Sequence, residues 1–256
     1  MKPYHNIART TAPDGAVLTL HEHDGEWHLK WNSRELMSTT STTSELMLGQ
    51  IACEHLEVHR EPRVLIGGLG FGYSLRAVLE VVSQGAEVHV SELLPEIVAW
   101  NREFLMKVNG ALLDDRRVTV FTEDVFDVIR RAGGAPKTKY DAILLDVDNG
   151  PTSFIQPKNA RLYDRRGFQL LQRALKPNGR IAFWSAVEEP QFVRQLTRAG
   201  FSARVVEAKA HERAKRAAHR IYVAEIAPPD VSLGKGAPAP KPRKDPGRDV
   251  RSNSRR

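Results

Sequence analysis

The sequence predicts an α/β protein, in which a doubly wound, mostly parallel sheet of seven strands follows a small N-terminal antiparallel β unit. From Arg63 onward, short apolar runs alternate with segments of helical periodicity, which is the pattern of a parallel sheet covered by helices. A glycine-rich turn joins the first of these runs to the first helical segment. Before residue 40, three short runs are separated by Asp-Gly and Asn-Ser turns, which is typical of an antiparallel meander.

The individual elements follow in chain order. The N-terminal unit takes strands at 16–20, 27–31 and 35–37, and a helix is expected to begin at its N-cap Ser44 and to end near Leu56. The strands of the larger sheet are expected at 64–66, 88–90, 118–121, 142–145, 181–184, 204–207 and 221–226. The helices between them are expected at 74–82, 95–107, 125–131, 162–175 and 190–198. The last strand is expected to lie antiparallel at the end of the sheet.

The strongest motif is the glycine-rich turn, in which the apolar run 64–66 leads into Gly67, Gly68, Gly70 and Gly72. Glycine lets the backbone approach a ligand closely, and the N-terminus of the following helix attracts negative charge. A tight turn of purely structural purpose is the alternative. The spacing differs from the Gly-x-Gly-x-x-Gly of dinucleotide-binding units, which argues against NAD.

An acidic residue ends each of the next two strands. Glu92 follows Gly72 by 20 residues, the distance at which an acid meets a ribose hydroxyl in Rossmann-like units. Asp124 ends the third strand, where it can reach an adenine amino group. Glu92 can instead be a surface acid at the helix that begins at Pro95, and Asp124 can be the N-cap of the helix from Val125. Together with the glycines, these acids predict an adenosine pocket at the carboxyl edge of the sheet.

The fourth strand ends at Asp146, and Asp148 and Asn149 follow it. A carboxylate at this edge lies beside the nucleoside and can act as a base. Alternatively, Asp146 only holds the turn, and Asp148 and Asn149 are ordinary turn residues. No metal site is expected, because His21 and His23 share a strand face without a clear third ligand.

These motifs resemble the spermidine synthase (polyamine aminopropyltransferase) family, whose catalytic domain has the class I S-adenosylmethionine-dependent methyltransferase fold. The resemblance covers about residues 25–226 and is carried by the segments 64–68, 75–79, 90–95, 123–126, 140–146, 150–151 and 175–179. It implies that Glu92 binds the ribose and Asp124 the adenine of decarboxylated S-adenosylmethionine. It also implies that Asp146 accepts a proton from, or orients, the amine that attacks the carbon beside the sulfonium. The N-terminal β unit is likewise a family feature, and by this resemblance a homodimer is expected.

Three differences from the family keep other functions open. Phe71 stands in the glycine turn where the family has an aspartate that meets the aminopropyl amine. The segment 37–43 corresponds to the acidic lid of the family and leaves Glu45 as the only matching acid. The loop after the fourth strand is shorter than in the family and carries Asp148 and Asn149. These two residues and Glu45 are expected to bind the amine substrate. The alternatives are a methyltransferase that uses S-adenosylmethionine, including one that acts on nucleic acid, and a nucleoside-binding relative without catalysis.

Composition sets the outer limits of the interpretation. Cys53 is the only cysteine of 256 residues, which excludes an internal disulfide. No apolar run reaches the roughly 18 residues that span a bilayer, so no membrane contact and a cytoplasmic location are expected. The net charge is +7, and residues 227–256 carry eight basic and three acidic residues, six prolines and no aromatic residue.

The charge and composition complete the expected division of the chain. The N-terminal β unit takes residues 1–43, the Rossmann-like nucleoside-binding domain 44–227, and a basic tail expected to be disordered 228–256. The segment 209–220 carries five basic residues against Glu212. This basic loop, together with the tail, is a candidate contact for nucleic acid, and a solvated loop is the alternative.

Overall fold

The N-terminal β unit is a four-stranded antiparallel meander in the computed structural model, which describes residues 4–12, 14–147, 150–151 and 157–226. Its strands are β1 (His5–Thr11), β2 (Val17–His23), β3 (Glu26–Trp31) and β4 (Arg34–Ser38). The sequence predicted three of these strands and missed β1, which is mostly exposed and therefore lacks an apolar pattern. Tight turns with positive φ at 24–25 and 32–33 join β2 to β3 and β3 to β4.

The larger sheet confirms the predicted fold class. Its strands are β5 (Arg63–Gly67), β6 (Glu87–Ser91), β7 (Val118–Phe121), β8 (Tyr140–Leu145), β9 (Leu175–Ser185), β10 (Phe201–Ala208) and β11 (His219–Ile226). They pair in the order β10-β11-β9-β8-β5-β6-β7, and β11 is antiparallel to both of its neighbours. The predicted antiparallel strand is therefore present, but its predicted place at the end of the sheet is wrong. The hairpin returns β11 between β9 and β10, which leaves β10 at the edge.

The helices are α1 (Thr43–Cys53), α2 (Tyr73–Val81), α3 (Pro95–Glu103), α4 (Met106–Asn109), α5 (Val125–Ala132), α6 (Arg165–Ala174) and α7 (Phe192–Arg198). Within the described ranges, no helix is long and apolar enough to cross a membrane.

Three predicted helix boundaries are wrong. The single helix expected over 95–107 is broken into α3 and α4: at the break the Leu105 N–H donates to the Trp100 carbonyl at 3.1 Å, and at the end of α4 Asn109 donates to the Phe71 carbonyl at 2.7 Å. Helix α6 begins late because Asp164 caps it by accepting from the Gly167 N–H at 2.7 Å. Helix α1 begins one residue before Ser44, whose hydroxyl faces other side chains and does not cap the helix.

The core has two parts, one on each face of the larger sheet. Val64 and Ile66 of β5 belong to the part that packs against α1, α2 and α3, whereas Leu65 belongs to the part under α5, α6 and α7. Leu18 and Leu29 of the β unit are buried in the first part. The β unit therefore packs against the same face of the sheet as α1 and α2.

Candidate active site

A cavity of about 270 Å³ opens at the carboxyl edge of the parallel strands. Along this edge the strand order reverses between the parallel neighbours β5 and β8, and such a switch point is the place at which open α/β sheets bind ligands. Residues that follow the four parallel strands β5, β6, β7 and β8 form the floor of the cavity, and the β unit forms its roof. The roof residues that line it include Leu18, Leu29, Trp31, Leu36 and Met37.

The glycine-rich turn forms one wall and depends on residues without a side chain. Gly68 and Gly70 line the cavity with φ of 91° and 51°, a region that side chains rarely adopt. A side chain at Gly68 would also collide with the Asp146 carbonyl oxygen, and one at Gly70 would meet Met37. The predicted residues Gly67 and Gly72 shape the turn from outside the cavity lining, at the end of β5 and the N-cap of α2.

Glu92 is buried behind this turn, not exposed as its alternative interpretation required. Its two carboxylate oxygens accept hydrogen bonds from the Leu69 and Leu94 backbone N–H groups, each at 2.9 Å. Burial raises the pKa of Glu92, and these N–H groups act in the opposite direction because they favour the ionised form. The carboxylate is thus fixed between the glycine turn and the start of α3, at the cavity surface.

Asp124 lines the cavity and is also the N-cap of α5. One oxygen accepts from the Phe126 N–H at 3.0 Å, and the other lies 2.8 Å from an Arg161 guanidinium nitrogen and 3.2 Å from Lys158 Nζ. The alternative interpretation of Asp124 as the N-cap is therefore correct, and its contact with adenine stays a prediction. We call Gly68, Gly70, Glu92 and Asp124 the glycine end of the cavity.

Two further carboxylates, Glu45 and Asp146, line the cavity beside this end, and we call them the acid pair. Ser74 Oγ lies 3.1 Å from Asp146 Oδ2 and 3.3 Å from the Glu45 carbonyl oxygen. Burial raises the pKa of Asp146 to about 6. Burial, and then the nearby charge of Asp146, raise the pKa of Glu45 to about 7. Both carboxyl groups therefore titrate near neutral pH.

Three polar residues of this site were not predicted from the sequence: Ser44, Ser74 and His219. Ser44 Oγ donates to Glu45 Oε2 at 2.7 Å and lies 2.9 Å from His219 Nδ1. The His219 ring packs against Trp184 with 4.8 Å between the ring centroids. No local sequence pattern predicts the contact between Ser44 and His219, because these residues are 175 positions apart in the chain.

Other predicted residues lie elsewhere. Phe71 is buried in the core beneath the turn and does not line the cavity. The amine-binding candidates Asp148 and Asn149, like the basic tail, lie outside the described residues. The basic loop borders the cavity, since its Ala210 carbonyl accepts from the Thr43 N–H at 3.2 Å and from the Ser41 hydroxyl at 3.3 Å.

The sheet order, the glycine turn and the acids after β6 and β7 define a Rossmann-like protein of the class I methyltransferase type. Residues 43–199, more than half of the chain, match the family model described as the spermine/spermidine synthase domain. The chain belongs to this family.

Solved structures agree on the fold. Spermidine synthase from Thermotoga maritima has a TM-score of 0.65 at 18% identity, over 86% of this chain and 72% of that one. Human methyltransferase-like protein 13 in complex with SAH has a TM-score of 0.54 at 19% identity, over 73% of this chain and 81% of that one.

Curated relatives are closer in sequence over a shorter stretch. A polyamine aminopropyltransferase of Corynebacterium efficiens is 33% identical over 126 residues, which are 48% of this chain and 22% of that protein. Polyamine aminopropyltransferase 1 of Streptomyces coelicolor is 35% identical over 121 residues, 46% of this chain and 21% of that protein. The matches thus span about a fifth of the length of these relatives.

Proposed function

We propose that the protein is an aminopropyltransferase, which binds decarboxylated S-adenosylmethionine and transfers its aminopropyl group to an amine. The observation that carries this proposal is the acid pair beside the glycine end: buried Glu45 in the first turn of α1 and half-buried Asp146 after β8, both with raised pKa values. Curated relatives named polyamine aminopropyltransferases support it, as does a solved spermidine synthase with the transition-state analogue AdoDATO (TM-score 0.63, 17% identity).

The glycine end would hold the nucleoside. Glu92 is an acceptor that backbone N–H groups orient at the cavity surface, which suits the two ribose hydroxyls as donors. Asp124 would accept from the adenine amino group. Gly68 and Gly70 let the backbone come within contact distance of the donor.

The acid pair would prepare the amine. An aliphatic amine is an ammonium ion at neutral pH and cannot attack until it loses a proton. Asp146 takes that proton, and the nitrogen lone pair then forms a bond to the carbon beside the sulfonium. The carbon–sulfur bond breaks, its electrons stay on sulfur, and methylthioadenosine leaves. A base whose pKa lies near 6 is better suited to this step than an ordinary aspartate near 3.8.

The test is turnover by the full chain supplied with decarboxylated S-adenosylmethionine and a panel of aliphatic mono-, di- and triamines. Release of methylthioadenosine together with an aminopropylated amine is expected. Asp146→Asn should lower turnover by about 10²–10⁴-fold, since it removes the base. Exposed Asp114→Asn is the matched control. Wild-type turnover in Asp146→Asn would contradict the assigned role.

Competition calorimetry decides between donors. Buried Phe71 offers the donor no carboxylate, so the acid pair must supply the preference for the decarboxylated form. Tighter binding of S-adenosylmethionine would contradict aminopropyl transfer and favour a methyltransferase. The homodimer, the nucleic-acid contact and the cytoplasmic location stay predictions.

A further inference from the structure

A row of hydrogen-bonded side chains leads away from the acid pair. Ser44 Oγ stands between Glu45 Oε2 and His219 Nδ1, at 2.7 Å and 2.9 Å. Ser44 and Glu45 are buried in the first turn of α1, and His219 is the first residue of β11. Three residues on two elements thus form a continuous path, and Glu45 and His219 at its two ends both line the cavity.

The path accommodates two arrangements of protons. A serine hydroxyl has one proton to donate and lone pairs to accept with. When Glu45 is ionised, Ser44 donates to it and accepts from a protonated Nδ1 of His219. When Glu45 carries a proton, Glu45 donates to Ser44, and Ser44 donates to an unprotonated Nδ1. Both arrangements keep every group in a hydrogen bond, so a proton can pass between Glu45 and the imidazole.

Among the residues that the structure describes, Asp146 has no comparable path. Its Oδ2 meets Ser74 Oγ, and the other neighbour of that hydroxyl is the Glu45 backbone carbonyl oxygen. A carbonyl oxygen accepts a hydrogen bond but does not take up a proton at neutral pH. Within the described residues, a proton received by Asp146 leaves through the cavity that Asp146 shares with Glu45.

We propose that His219 is a positioning residue for Glu45 and, through Ser44, relays the proton released by the acceptor amine. This inference rests on the proposed function. The N–H bond of the ammonium breaks, and its proton goes to Asp146. It then passes within the acid pair to Glu45, along Ser44 to His219 Nδ1, and from Nε2 to water. No electrons are exchanged, and one proton leaves in each turnover.

The surroundings of His219 suit a relay. The side chains that face it are Ser44 from α1, with Glu45 behind it, and the uncharged Trp184 from β9. Burial lowers the pKa of His219, so the imidazole is neutral at pH 7. A neutral imidazole accepts a proton from Glu45 and passes it on without retaining it.

Three variants separate a relay from a structural role. His219→Asn keeps a hydrogen-bonding amide beside Ser44 but cannot carry a proton. His219→Ala removes the group, and Ser44→Ala interrupts the path. Exposed His211→Asn, in the adjoining basic loop, is the matched control. The readouts are kcat and the amine KM from methylthioadenosine release between about pH 6 and about pH 9, with and without added imidazole.

We expect kcat to fall about tenfold in all three variants, with KM and donor affinity unchanged. Added imidazole should restore His219→Ala but not Ser44→Ala, in which the path is broken beside Glu45. Wild-type kcat in His219→Asn would overturn the relay, because a structural hydrogen bond is all that this variant keeps. Should His219→Ala fail to fold, His219→Asn and Ser44→Ala decide alone.

A separate measurement distinguishes this inference from the proposed function. If wild type releases no methylthioadenosine with any amine, aminopropyl transfer fails. The proton path is then judged by ¹⁵N NMR of His219, whose ring signals should respond to the titration of Glu45 near pH 7 and lose that response in Glu45→Gln. If the ¹⁵N signals of the His219 ring do not change when Glu45 titrates, the proton path is wrong, whichever group the enzyme transfers.

Discussion

The two ends of the cavity hold their carboxylates in different ways. At the glycine end, Glu92 accepts from two backbone N–H groups, and Asp124 is bound by the first turn of α5 and by two cationic side chains. In the acid pair, the hydroxyl of Ser44 donates to Glu45 and that of Ser74 to Asp146, and the backbone N–H of Glu45 adds to the first of these contacts. Backbone N–H groups have fixed directions and favour an ionised acid, whereas a hydroxyl can rotate and can donate or accept.

This difference teaches how one cavity separates binding from proton transfer. A carboxylate held by backbone donors is fixed in one orientation, which suits the recognition of sugar hydroxyl groups and base amino groups. A buried carboxylate held by hydroxyls retains a raised pKa and changes its protonation state without losing its partners. The predictions below test whether the two ends differ in this way.

The largest effect is expected where the two ends meet, at Gly68. Gly68→Ala adds a side chain at φ of 91° that collides with the Asp146 carbonyl, so both the turn and the acid pair must shift. We expect a loss of about 3 kcal/mol in the free energy of unfolding. Turnover should fall about 100-fold, because a displacement near 1 Å is enough for that. Urea denaturation and initial rates measure the two effects.

Gly110→Ala is the matched control for this substitution. Gly110 has φ of 70°, but an added side chain there meets nothing within 4 Å. Its ψ of −160° places it in a region that is essentially restricted to glycine, so the substitution should cost the backbone strain, about 1–3 kcal/mol, and leave turnover unchanged. Equal losses in the two variants would mean that the approach of Gly68 to Asp146 is not what joins the two ends.

A smaller effect is expected from Glu92→Gln, which replaces one of two acceptor oxygens by an amide donor. That amide must face a backbone N–H, either of Leu69 or of Leu94. The free energy of unfolding should fall by about 1–3 kcal/mol, and donor affinity by about tenfold. The pH profile of turnover should keep its wild-type shape, because the acid pair is untouched. Exposed Glu103→Gln is the control, and a shifted profile would contradict the separation of the two ends.

The acid pair should lower stability at high pH. The folded-state pKa values near 6 and 7 lie above the ordinary values of 3.8 and 4.5, so the folded chain binds more protons than the unfolded one between about pH 4 and pH 7. Stability is therefore lost as the pH rises through this range. Asp146→Asn should be more stable than wild type by about 2 kcal/mol at about pH 8 and no more stable at about pH 4. Urea denaturation at both pH values checks this, and an equal change at both would contradict the raised pKa.

The sequence predicted the parts of the site that topology brings together. Parallel strands end at one edge of a sheet, so residues that follow β5, β6, β7 and β8 must meet, as Gly68, Glu92, Asp124 and Asp146 do. The place of β11 was not predictable, since a hairpin connection does not say on which side of β9 the strand returns. The break between α3 and α4 has no local signal either, because a hydrogen bond from Asn109 to the distant Phe71 carbonyl accompanies it.

The hydroxyl partners of the acid pair were also beyond sequence reasoning. Ser44 was expected as a helix cap, because serine at the start of a helix usually has that role. Its hydroxyl instead meets Glu45 and His219, which only the docking of β11 against α1 brings near. Local sequence motifs therefore predict the residues of the glycine end, whereas the hydrogen bonds of the acid pair depend on contacts between distant segments.

The smallest effect is expected from Arg161→Ala. This substitution tests whether cationic side chains or a backbone N–H group orient Asp124 at the glycine end. Arg161 is 39% exposed, lies 2.8 Å from Asp124, and stacks over Phe126 at 4.1 Å. Exposed ion pairs contribute less than about 1 kcal/mol, so stability should change by no more than that. Donor affinity should stay within about twofold, since the Phe126 N–H still orients Asp124. Arg131→Ala, which removes the neighbouring pair with Glu123, is the control. A tenfold loss of donor affinity, about 1.4 kcal/mol, would show that the cations hold Asp124, and the contrast between the two ends would then rest on Glu92 alone.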